Sequence, residues 1–397
     1  MTRLQKCSWV CLFCAATAVA LPAQTFKTLA SFNYFDTGAY PQYMSLLQGA
    51  DGNLYGTTLG GVNGVGVIFK VTPGGELTVL CYFEEDTCYQ ETYPYSGLVQ
   101  ASDGNLYGTT WQGGANGAGT VFTSTTGVNT VTLLYSFCSL ASCADGDDPF
   151  APLIQASNGN FYGTTLYGGA KGYGTVFAIT AAGALTTLHS FAYDDGASPV
   201  AGLIQAKNGK LYGTTLYGGA HGAGTVYEIS TSGKLKTLHS FGSAGDGANP
   251  YSGLVEATDG SFYGTTYGGG AKGHGAVFAV TAGGKLTTEY SFCSNAKCAD
   301  GSYPYAGVVQ ATDGNFYGTT SEGGNSNRGT VFAITAAGKL TTLHGFCSKK
   351  NCTDGAEPSG GLIQAKNGIL YGATTEGGAH EDGTIFSLSL GDKPKLP

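Results

Sequence analysis

Four short runs of alternating apolar and polar residues follow one another along the chain, and then the set begins again. In residues 201–241 they read "AGLIQA", "KLYGTT", "GTVYEIS" and "LKTLHSF", and we call them strands a, b, c and d. Each is rich in β-branched and aromatic residues and bounded by Gly, Asn, Ser or Thr, which is the signature of short half-buried strands. The b run repeats as Tyr-Gly-Thr-Thr from Tyr55, Tyr107, Tyr162, Tyr212, Tyr263 and Tyr317, and as Tyr-Gly-Ala-Thr from Tyr371, at intervals of 50 to 55 residues. That period, with four strands in each unit, predicts the blades of a propeller.

The punctuation agrees. Between a and b stands Asp or Asn followed by Gly in all seven units: Asp51, Asp103, Asn158, Asn208, Asp259, Asp313 and Asn367. This dipeptide predicts two-residue type I′ hairpins, and a Gly-containing turn such as "TSGK" joins c to d. Residues 26–32 match strand d, whereas residues 384–390 match strand c. Neither end makes a whole blade. The prediction is an all-β, seven-bladed β-propeller with four antiparallel strands per blade, spanning residues 25–390. An N-terminal strand d joins C-terminal strands a–c and removes the open edge. Strand a carries Gln48, Gln100, Gln155, Gln205, Gln310 and Gln364, with Glu256 in the same place. This polar ring is expected to hydrogen-bond between blades.

Composition fits such a chain. Of 397 residues 66 are Gly, without a collagen period, and only 12% are charged. Arg3 and Lys6 precede the apolar stretch "CSWVCLFCAATAVALPA", too short for a comfortable membrane span, so residues 1–24 read as a signal peptide. Residues 391–397 are a short tail. The net charge of −8 becomes −10 without the leader, and there is no basic run, which argues against nucleic acid. No second spanning stretch follows, and a secreted monomer is expected. Of 11 Cys, three leave with the leader, and the rest fall into local pairs: Cys81 with Cys88, Cys138 with Cys143, Cys293 with Cys298, Cys347 with Cys352. In an exported chain these read as disulfides. Zinc is the lesser reading, because its sites bring a second Cys or His pair alongside.

The consensus "GNxYGTTxxGGxxGxGTVFxxTxxGxLTTLHSF" resembles the Gloeobacter/Verrucomicrobia repeat of exported bacterial proteins, over nearly all of residues 26–390. The resemblance implies an extracellular location and no agreed biochemical activity. The C-terminal sorting anchor that often accompanies the repeat has no counterpart in "GDKPKLP".

A meandering blade places its d–a and b–c connections on one face, and here those are the long, irregular, Cys-containing ones. The candidate ligand residues on that face are Trp111, Tyr167, Tyr217 and Tyr267 in four consecutive blades, with His221, His274 and Arg328. Aromatic rims suit sugar rings, peptides or protein partners. His189, His239 and His344 share one strand-d position and read as outer-strand filler. Asp145, Asp147 and Asp148, and Glu84, Glu85 and Asp86, are the densest acidic groups; metal binding there is the lesser reading, and no cofactor is expected. No catalytic residue can be assigned, since no nucleophile motif or placed acid–base pair appears. The leading expectation is an extracellular binding module for polysaccharide or cell-surface protein. The alternatives are a secreted hydrolase or lyase working at the central mouth, and a structural spacer.

Overall fold

The computed structural model describes residues 24–61, 64–83 and 93–391. Apart from Gln24 and Gly391, the expected leader and tail lie outside them, as do Cys88 and the acidic group Glu84–Glu85–Asp86. Seven four-stranded antiparallel sheets form the blades. In six of them the strands run a-b-c-d in chain order, as in Ile204–Gln205, Leu211–Thr215, Thr225–Ile229 and Leu235–Ser240. The seventh is composite: Ile363–Gln364, Leu370–Thr374 and Thr384–Ser389 are completed by Thr25–Ser31, with Phe26 opposite Leu388 and Ser31 opposite Thr384. The ring closes where the two half-blades were expected to meet.

The repeated Tyr-Gly-Thr-Thr is explained residue by residue. Its Tyr is buried and bonds the turn behind it: the Tyr55 hydroxyl donates to Asp51 Oδ2 at 2.7 Å, and Asn158 Nδ2 donates to the Tyr162 hydroxyl at 2.7 Å. Its Gly lies under the ring of strand c, so a Cβ on Gly163 would sit 2.6 Å from Phe177. The first Thr reaches the following blade, as Thr57 Oγ1 donates to Ser96 O at 2.8 Å and Thr214 Oγ1 to Ser252 O at 2.9 Å. The second pairs with strand c, Thr165 Oγ1 lying 2.9 Å from Thr175 Oγ1.

Apolar packing between blades repeats in the same way. The Phe that ends strand d packs edge-on against the strand-c ring of the next blade, from Phe32 on Phe69 at 5.1 Å to Phe346 on Phe386 at 5.2 Å. On the axis side the glutamine ring bonds as expected and closes on itself. Gln100 accepts from Ala50 N, Gln155 from Ser102 N, Gln205 from Ser157 N, Glu256 from Lys207 N, Gln310 from Thr258 N, Gln364 from Thr312 N and Gln48 from Lys366 N, at 2.8–2.9 Å. Gln205→Ala removes one of these bonds and is expected to cost about 1 kcal/mol, read from the denaturant midpoint. No change in midpoint would mean that the ring contributes no net stability.

Three local expectations are corrected. The a–b turns are not type I′: Gly52 has φ +84, but Asp51 does not have positive φ. Gly52 N donates to Gly49 O at 3.0 Å, and Gly49 N to Asn53 O at 2.8 Å. This is a three-residue loop with a left-handed Gly, and the Asp is there to accept from Asn53 N at 3.1 Å and from its Tyr. Strand a is two residues long in every blade, because the residues before it leave strand b to line the channel. There the blades touch through glycine: a Cβ on Gly97, Gly202, Gly253 or Gly307 would come within 3.0 Å of the neighbouring blade. The strand-d histidines are not mere filler. The Nε2 atoms of His189, His239 and His344 bond the carboxylates of Asp195, Asp246 and Asp354 at 2.9, 3.1 and 3.1 Å. Tyr135 and Tyr290 do the same to Asp145 and Asp300 at 2.8 and 2.7 Å.

Candidate binding site at the loop face

The d–a and b–c loops share one face, stitched together by backbone bonds. The residue before the loop proline is left-handed in six of the seven connections: Tyr40, Asp148, Ser198, Asn249, Tyr303 and Glu357, with φ between +54 and +57. Its N–H donates to one b–c loop and its carbonyl accepts from the next: Ser198 N bonds Tyr173 O at 2.9 Å, and Leu216 N bonds Ser198 O at 3.0 Å. Each d–a loop therefore clamps two blades. Three carry disulfides, Cys138–Cys143, Cys293–Cys298 and Cys347–Cys352, each closing a short loop and worth about 2 kcal/mol by chain entropy.

Beyond the proline the chain descends into the channel, and the position five residues before the strand-a Gln or Glu points at the axis. It is occupied by Tyr43, Tyr95, Phe150, Val200, Tyr251, Tyr305 and Ser359. The five aromatic rings meet across the mouth. Tyr43 lies 5.3 Å from Tyr95, 5.6 Å from Tyr251 and 5.2 Å from Tyr305, and Tyr95 lies 4.4 Å from Phe150. Burial pushes the hydroxyls of Tyr43, Tyr95, Tyr251 and Tyr305 above the ordinary tyrosine value, so the cluster is neutral at physiological pH. A cavity of about 280 Å³ adjoins it, walled by Tyr43, Phe150, Tyr251, Tyr305, Val200 and the small residues of the inner runs.

The expected aromatic rim divides into two sets. Trp111 and Tyr267 turn inward, against Tyr95 at 5.6 Å and Tyr305 at 4.7 Å. Tyr167 and Tyr217 stand out from the rim, 49% and 48% exposed. Two tyrosines that sequence reasoning passed over join them, Tyr173 and Tyr193, 40% and 42% exposed with rings 5.4 Å apart. Tyr193 sits with φ +61 where other blades have the second cysteine of a disulfide. Its carbonyl accepts from Gly219 N at 2.7 Å, as Cys143 O accepts from Gly169 N at 2.8 Å. The left-handed turn belongs to this loop position, since Cys143, Cys298 and Cys352 share it with φ +50 to +51.

The other candidate residues are placed differently. Arg328 is engaged by Glu357 and, at 3.2 Å, by Glu376. His221 is exposed, its Cβ beside Gly242, and His274 is half-buried with its ring 5.0 Å from Tyr303. Of the acidic group, Asp145 is fully buried and accepts from Ser139 N and Leu140 N at 2.9 and 3.0 Å, so its role is to hold the loop. Asp148 differs: burial, with the neighbouring Asp147 charge, raises its carboxyl to about 6. The signal for the axial cluster was present, an aromatic at one fixed offset in five of seven repeats, but the offset gains meaning only once strand a is known to face the axis.

A closed ring of seven blades with an aromatic mouth and disulfide-braced loops defines a repeat β-propeller. The model of the Gloeobacter/Verrucomicrobia repeat matches residues 15–151, 138–299 and 246–394, and the chain belongs to that family. No curated protein matches the sequence. Among solved structures the fold is similar to that of virginiamycin B lyase from Staphylococcus aureus, at 15% identity and a TM-score of 0.60, over 92% of this chain and 99% of that one. A candidate 6-phosphogluconolactonase from Bacteroides uniformis matches at 16% identity and a TM-score of 0.46, over 76% of this chain and 83% of that one. These likenesses concern the fold. Among the described residues no helix is long and apolar enough to cross a membrane.

Proposed function

We propose that the protein is an exported binding module that holds a neutral polysaccharide on its loop face. The observation that carries this reading is the exposed platform of Tyr167, Tyr173, Tyr193 and Tyr217 on the same face as the uncharged ring cluster at the mouth. Tyrosine faces stack on the apolar faces of pyranose rings, and their hydroxyls and the surrounding glycine backbone offer hydrogen bonds. Stiff loops lower the ordering cost of binding. The net charge of −8 disfavours polyanions and suits a neutral ligand. Export is supported by the disulfides and by the apolar, basic-led N-terminus.

The test is a polysaccharide array followed by titration of the best ligand against a variant with all four tyrosines changed to Ala. At about 0.5–1.5 kcal/mol per ring, the variant is expected to lose roughly a hundredfold in affinity or more. Unchanged affinity, or no neutral polysaccharide bound at all, removes this reading. A second reading, a hydrolase or lyase, is favoured by the raised Asp148 carboxyl next to Asp147 and the mouth. It requires that bound polysaccharide be cleaved and that Asp148→Asn abolish the cleavage while leaving binding intact.

A further inference from the structure

We propose that His274, Cys293 and Cys298 form a redox-gated site for a divalent metal ion of the Zn²⁺ class, closed while the two sulfurs are joined. A ring nitrogen of His274 and the two sulfur atoms lie within 4.8 Å of one another, the one such group of three among the described residues. His274 Nδ1 is buried and has no hydrogen-bond partner among the described residues. An unmet buried polar atom costs about 1–3 kcal/mol, and nothing in the loop requires it. The corresponding position beside Cys138–Cys143 is Ala118, and beside Cys347–Cys352 it is Arg328. The same loop therefore closes without an imidazole. Here two potential thiolates and an imidazole with one unmet ring nitrogen are placed together, the donor set that zinc prefers.

The loop holds its shape without the S–S bond. Asp300 is fully buried and accepts from Ser294 N, Asn295 N and the Tyr290 hydroxyl at 2.9, 3.0 and 2.7 Å. Cys293 N donates to Gly301 O at 3.1 Å, and Cys298 O accepts from Gly301 N and Gly324 N, both at 2.9 Å. The loop after strand Leu185–Ser190 builds a related lock around Asp195, bonded by His189 and by Ala192 N at 2.9 Å, with no cysteine. Reduction thus leaves both thiols in place and lets the sulfurs part to the spacing a metal needs. A dithiol reductant supplies two electrons and two protons to the Cys293–Cys298 bond and leaves as its own disulfide. Metal binding then releases the two thiol protons, so that two thiolates, one neutral imidazole nitrogen and a water surround the ion.

The experiment titrates Zn²⁺ into the oxidised and the dithiol-reduced full chain against a chelating dye, with circular dichroism to follow the fold. The reduced protein is expected to stay folded and bind one zinc that the oxidised protein does not. His274→Ala, which places there the residue found at Ala118 and Ala223, is expected to weaken it by about tenfold or more. A Cys138→Ser/Cys143→Ser variant is expected to bind as before. Unfolding on reduction, absence of zinc uptake, an unchanged His274→Ala affinity, or loss of the site on removing Cys138 and Cys143 would each overturn the proposal.

Discussion

Deletion of residues 25–33 is expected to abolish cooperative folding, although it removes a segment at one end of the chain. The N-terminal strand supplies the outer edge of the composite blade over its whole length. It also delivers Phe26, which stacks on His344 at 3.7 Å and packs on Phe386 at 5.2 Å, and it leads to Phe32 on Phe69 at 5.1 Å. Phe32 is fully buried and Phe26 partly so; a fully buried Phe is worth about 1.5–3 kcal/mol and a partly buried one less, before Leu29 and the ladder are added. The sum approaches a domain's whole stability of roughly 5–15 kcal/mol. A thermal melt should lose its sharp transition or fall by at least about 10 °C. A synthetic peptide of the deleted segment, added in trans, should recover part of it. An unchanged melt would mean that the ring is not held shut at this seam.

Asp354→Ala is expected to destabilise the protein by about 3–5 kcal/mol, although the residue lies in a loop. Its fully buried carboxylate accepts from Ser348 N at 3.1 Å, Ser348 Oγ at 2.6 Å, Lys349 N at 3.2 Å and His344 Nε2 at 3.1 Å. Its removal strands four donors under the loop. The same pair dictates a pH dependence. Burial is the largest influence on Asp354 and opposes its charge, but the hydrogen bonds from Ser348 and Lys349 outweigh it and hold the carboxyl below its ordinary 3.8. Burial holds His344 below its ordinary 6.5, against the pull of Asp354. In both cases the unfolded chain takes up the proton more readily. Stability is therefore intact above pH 6.5, declines as His344 is driven to protonate, and declines again as pH falls below 3.8 through the folded value of Asp354. Denaturation midpoints across this range check the sign; the variant should lose the acidic limb that belongs to the carboxylate. A wild-type stability that rises on acidification between pH 6.5 and 3.8 would contradict the assignment.

The fold was legible because the repeat states the same instruction seven times. Tyr-Gly-Thr-Thr, the Gly turns and the strand-d Phe each solve one packing problem wherever they recur. The split ends, d first and c last, announced the closing seam. The glutamine ring was equally readable, since a polar residue at an inner-strand position in every unit needs a partner in every neighbour. Turn geometry was not. Asp-Gly is compatible with more than one hairpin, and the Tyr hydroxyl that claims the Asp51 side chain is brought to it only by the folded blade.

By itself, then, the order of residues determined the blade, the number of blades and the disulfide partners at Cys138, Cys293 and Cys347, because these depend on short spacings and local periodicity. Only the tertiary structure decided which side chains meet at the mouth. Tyr43 and Tyr251 belong to blades on opposite parts of the ring and touch at 5.6 Å. Trp111 and Tyr167, one position apart in the repeat, turn to different surroundings, and Tyr193 takes a cysteine's seat in a blade without a disulfide. Convergence on an axis is a property of the closed circle, and no local spacing along the chain encodes it.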